Sequence, residues 1–136
     1  MGKNTSISTI DTNLKNFFKF WLMFTKPMHN LPPREVECLS MILYKRYELS
    51  KVINNEERLN TFLFSMEIRS EILKELKMKP VDYSGVLTRF RKKGILSQDN
   101  VVNSKFIPNL DVTNDEMVTF KFGVVFSIKN ELNSEN

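Results

Sequence analysis

Cysteine and histidine are almost missing from this chain, with Cys38 and His29 the single example of each. One thiol forms no intramolecular disulfide and suits a reducing compartment. One thiol with one imidazole gives no ligand set for a structural zinc ion. A glycine-rich phosphate loop and the usual metal motifs are also lacking. Glu35, Glu37 and Cys38 lie together, but His29 stands before the Pro32–Pro33 break, so the thiol has no base to activate it. No catalytic residue, cofactor or metal is expected, and the chain is not read as an enzyme.

Long apolar runs are scarce too. The most hydrophobic stretch, "FFKFWLMF" at 17–24, is interrupted by Lys19 and far shorter than the ~20 residues that cross a bilayer. The "TKPMHN" after it offers no pair of small residues for a signal-peptide cleavage, so no membrane partner and a cytoplasmic location are expected.

What the chain does have is placed charge. The formal net charge is +4, with a pI near 9.2. Residues 65–93 hold eight Lys or Arg against four acids, which accounts for the whole excess. A basic patch on an otherwise neutral body is the footprint of a protein that meets phosphates.

At 136 residues the chain suits one core. Residues 1–12 and 129–136 are polar and read as flexible tails. An aromatic N-terminal helix is expected within 13–28, and prolines end it. Pro33 opens a helix to about Ser50, with Glu35 in its first turn and Val36, Leu39, Ile42, Leu43 and Tyr47 as its stripe. "NNEERLN" reads as a loop and "TFLF" (61–64) as a short β-prone segment. Ser65 caps a helix from Met66 to Met78, with Ile68, Ile72 and Leu76 inward. Asp82 is expected to cap the next helix, 82–93, and Gly94 to end it in a left-handed conformation. "VVNSKFI" (101–107) then reads as extended, and residues 118–128 alternate as a strand.

The order helix, strand, helix, turn, helix, hairpin is an α+β arrangement. Residues 31–128, and "RFRKKGIL" above all, resemble the winged helix-turn-helix superfamily, which implies a β-hairpin wing and a DNA-reading helix. "FFKFWLMFTKPMHNLPPREVECLSMILYKRYELS", "LFSMEIRSEILKEL" and "VVNSKFIPNL" are similar to small winged-helix proteins of crAss-like Bacteroides phages. That likeness implies a viral protein in a bacterial cytoplasm.

Within 82–93, Tyr83, Val86, Leu87 and Phe90 share one helical face, and Ser84, Gly85, Thr88, Arg89 and Lys92 share the other, which carries no acid. The second face suits a DNA major groove, which admits one helix. Gly85 costs the helix ~1 kcal/mol relative to alanine, and its missing side chain would let the backbone approach the bases. Arg89 would contact guanine, with Ser84 and Thr88 meeting bases or phosphates. Arg91, Lys92, Lys93, Lys77 and Lys79 would grip the backbone, as would Lys105 and Lys121 from the wing. On this reading Arg89→Ala weakens binding and leaves the fold intact. The bland reading is that the helix dipole alone favours cations in a last turn.

Phe17, Phe18, Phe20, Trp21 and Phe24 cannot all face one side of a helix, so some are expected to meet a second copy or another partner. The expected function is double-stranded DNA binding in phage transcription or replication control. The alternative is a protein–protein or virion-assembly module docking through the aromatic helix onto a phage or host protein. RNA is disfavoured, because phenylalanines that alternate inward leave no stacking platform.

Overall fold

The structure, a computed structural model, describes residues 3–108, 110 and 118–127, with side chains over 13–108 and 110. Its body is built from six α-helices among these residues: α1 (Leu14–Phe24), α2 (Lys26–His29), α3 (Pro33–Ser50), α4 (Glu56–Leu63), α5 (Met66–Leu76) and α6 (Pro80–Lys92). The longest, α3, lies at the centre and packs against α1, α4, α5 and α6.

Local chemistry sets most helix starts. Asn13, Asn55 and Ser65 turn a side-chain oxygen back onto the N–H three residues on, which satisfies a donor the helix would otherwise orphan. Pro33 and Pro80 sit in first turns, where the missing N–H costs nothing. The helix at 82–93 differs from expectation here. It begins at Pro80 behind Lys79, so Asp82 is a first-turn acid and not the cap. Gly94 does end it, at φ 77°, with the Ile95 N–H returning to the Phe90 carbonyl at 2.9 Å.

Segment 55–64 also differs. The expected loop and β-prone segment are one helix, α4. Its cap at Asn55, the acids Glu56 and Glu57 in the first turn, and the buried pair Leu59 and Leu63 four residues apart outweigh the β preference of "TFLF".

The expected α+β winged fold is corrected: the body is helical and has no hairpin wing. Among the residues with described side chains there is no strand, only a bridge between Leu96 and Val102. Residues 101–107, expected as the wing's first strand, bury Val102 and Phe106 and close into a 3-10 turn at Ser104–Phe106. Asn103 forces that shape. Its amide oxygen accepts from the Lys105 N–H at 3.1 Å and its amide nitrogen donates to the Gly94 carbonyl at 3.1 Å. Outside the body, the backbone of β1 (Lys3–Thr12) pairs antiparallel with that of β2 (Val118–Ser127). Residues 118–127 therefore run beside the start of the chain and not beside 101–107. Residues 129–136 lie outside the described residues.

The aromatic helix belongs to the core. Phe17 and Phe18 are buried and meet edge to face at 5.4 Å. Phe18 also packs beside Tyr44 and Tyr47 of α3. The Trp21 Nε1–H donates to the Phe106 carbonyl at 2.9 Å, tying α1 to the segment after α6. His29 is buried as a link between helices. Its Nδ1 accepts from the Leu31 N–H at 2.9 Å, which leaves Nε2–H to donate to the Leu22 carbonyl at 2.8 Å.

Candidate nucleic-acid interface

The inner side of α6 is closed. Tyr83, Val86, Leu87 and Phe90 are all buried. On the outer side Ser84, Thr88, Arg89 and Lys92 are exposed and Gly85 is partly so, which brings the four expected base-facing positions and the expected phosphate contact Lys92 into one ridge. The α5–α6 connection is short: Lys77 takes the left-handed conformation (φ 52°) and Lys79 flanks the start of α6. Both lysines are exposed, beside the shallow depression that Gly85 leaves.

The ridge is organised by two residues outside the expected DNA-reading set. Arg69 of α5 donates to the Ser84 hydroxyl oxygen at 2.7 Å and to the Pro80 carbonyl at 3.1 Å. Its guanidinium stacks over the Tyr83 ring, with its central carbon 5.2 Å from the ring centre. One side chain thus fixes the angle between α5 and α6 and occupies the Ser84 hydroxyl.

The second residue is Glu35, the one buried acid among the described residues. Its Oε2 accepts from Arg89 Nε at 2.6 Å, and Lys93 Nζ lies 3.9 Å from its Oε1. Oε1 is buried and accepts no hydrogen bond. A carboxylate removed from water must be paired, so Arg89 has a structural duty. This pairing stands against the expectation that Arg89 can be truncated without touching the fold. The sequence did hold a signal: Glu35 lies on α3 in register with Cys38, Leu39 and Ile42, an acid in line with the apolar stripe.

Arg89 also changes the account of Gly85. A Cβ built there would meet only the Arg89 Nη1, at 3.5 Å, an ordinary contact. The guanidinium lies across the glycine on its way to Glu35.

The expected phosphate-gripping residues fall into three groups. Lys92, Lys77 and Lys79 are exposed around α6. Arg91 is half-buried and donates from Nε to Asn100 at 3.0 Å, which holds it under the 97–100 turn. Lys105 is exposed on the 3-10 turn and shares a shallow depression with Lys93, so it reaches the end of α6 without a wing. The side chain of Lys121 lies outside the described residues.

The partner reading of the aromatic helix is corrected for Phe17 and Phe18, which this chain's own core consumes, and Trp21 is tied to Phe106. Phe20 is half-buried, and Phe24 at 42% and Met23 at 63% remain exposed.

No helix among the described residues is long and apolar enough to cross a membrane. Among them no group of three or more His, Cys, Asp or Glu is placed to hold a metal. Comparison with protein-family models, curated proteins and solved structures yields no match, so the chain's own geometry carries the functional reading.

Proposed function

We propose that the chain binds double-stranded DNA, laying α6 in the major groove, and acts in control of transcription or replication. One observation carries this reading. An exposed ridge of two hydroxyls, a glycine, a guanidinium and an ammonium runs along a helix whose other side is buried, with Asp82 in the first turn the one acid of that helix. Lys77 and Lys79 stand at one end of that helix and Lys93 and Lys105 at the other. Such a helix presents donors to base edges, and the flanking cations meet the backbone on either side.

The test is retention of a labelled duplex across a salt series. If the flanking cations neutralise about four to six phosphates, log affinity falls against log salt with a slope of about −4 to −5. Lys92→Ala removes a cation without touching a buried partner, and it should lower affinity and flatten the slope by ~1. Binding that ignores both salt and Lys92→Ala contradicts the proposal.

A further inference from the structure

We infer that Glu35 is the positioning residue that makes Arg89 a base reader, an inference that rests on the DNA-binding reading above. A free arginine on a helix surface samples many rotamers and meets phosphates and bases indiscriminately. Arg89 is not free. Glu35, buried on α3, takes its Nε–H at 2.6 Å. Leaving would strand the carboxylate with only Lys93 nearby, 3.9 Å from the other oxygen.

The bond uses Nε alone. Nη1 and Nη2 have no hydrogen-bond partner among the described residues, and Nη1 rests 3.5 Å from the place where Gly85 lacks a Cβ. The terminal fork is therefore held in one pose on the ridge. Two parallel N–H groups at the tip of an arginine match the O6 and N7 acceptors of guanine. Anchoring by Nε keeps that fork in place before DNA arrives, and preorganisation of this kind favours a fixed geometry over a promiscuous one. Gly85 supplies the seat, Arg89 the fork and Glu35 the anchor.

Two substitutions separate this role from bulk electrostatics. Glu35→Gln removes the charge and keeps an oxygen in reach of Nε. Glu35→Met removes both and fills the same space, leaving no buried unpaired charge. If Glu35 acted only by its charge, the two variants would behave alike, and both would bind all duplexes more tightly. Positioning predicts a split.

Full-length wild-type, E35Q and E35M proteins would each be used to select from a randomised duplex library. Wild type and E35Q are expected to enrich guanine at one step. E35M is expected to lose that preference about tenfold or more while its affinity for the unselected library holds or rises. In DNA-free protein, the Arg89 Nε–H resonance should be resolved in wild type and E35Q and averaged with free arginines in E35M. This readout keeps E35Q informative should E35M fold poorly, because an averaged resonance in wild type already overturns the anchor.

Equal guanine enrichment by E35M and wild type overturns the inference and leaves DNA binding standing. A wild-type protein that binds duplex in a salt-dependent way but enriches no guanine does the same. A wild-type protein that retains no duplex overturns both.

Discussion

Arg89 and Glu35 stand 54 residues apart in the chain and 2.6 Å apart in the fold. The pair joins the outer ridge of α6 to the first turn of α3, so the surface proposed to meet DNA and the core that holds it share one ion pair. Breaking a fully buried pair costs ~3–5 kcal/mol. Solvent reaches Arg89, and Lys93 stays near Glu35. Arg89→Ala is therefore expected to lower the unfolding free energy by about 1–3 kcal/mol, read as a lower urea midpoint. An unchanged midpoint would show that Glu35 does not depend on Arg89.

Gly85→Ala should move stability and binding in opposite directions. The methyl group meets only the flexible tip of Arg89, at 3.5 Å, and alanine is the better helix former by ~1 kcal/mol. The variant should melt a few degrees higher. On duplex it should bind more weakly, because the methyl takes the space on which the proposed Arg89 reading fork rests. A variant that gains in both measurements would place the DNA contact elsewhere.

Phe18→Ala should cost ~3–5 kcal/mol, as large buried aromatics do when truncated. Phe18 is 2% exposed and packs against Phe17, Tyr44 and Tyr47. For the same reason, removing residues 1–26 should unfold the body and not merely detach a docking arm, as circular dichroism of the truncated chain would reveal. A truncated chain with native helicity would return the aromatic helix to the role of an independent element.

Cys38 should be inert in the folded protein. It is fully buried, and burial pushes its thiol up from 9.0 to about 11. At pH 8 about one molecule in a thousand would carry the reactive thiolate. A raised thiol pKa keeps the folded protein's thiol neutral through the neutral range, and stability falls as pH rises from about 9, where the unfolded thiol ionises, towards about 11, where the folded one does. Labelling by a disulfide reagent at pH 8 should therefore track global unfolding in a urea series. Rapid labelling without denaturant would contradict the packing around α3.

Helical periodicity is a local property, and the chain carried it openly. The buried set Tyr83, Val86, Leu87 and Phe90, the capping Ser65, the left-handed stop at Gly94 and the outward set from Ser84 to Lys92 follow from 3.6 residues per turn and from backbone donors needing partners. Short apolar runs do not declare their period. "TFLF" became the end of α4 because Asn55 caps it and Leu59 and Leu63 found a core to enter.

Partner choice between distant segments is not periodic, and only the tertiary structure decided it. It denied 101–107 a hairpin, drew Phe17 and Phe18 inward, set Arg69 on Ser84 and seated Arg89 on Glu35. Each of these outcomes comes from satisfying a buried polar group or filling a space between helices. Neither demand exists until the chain has folded around it.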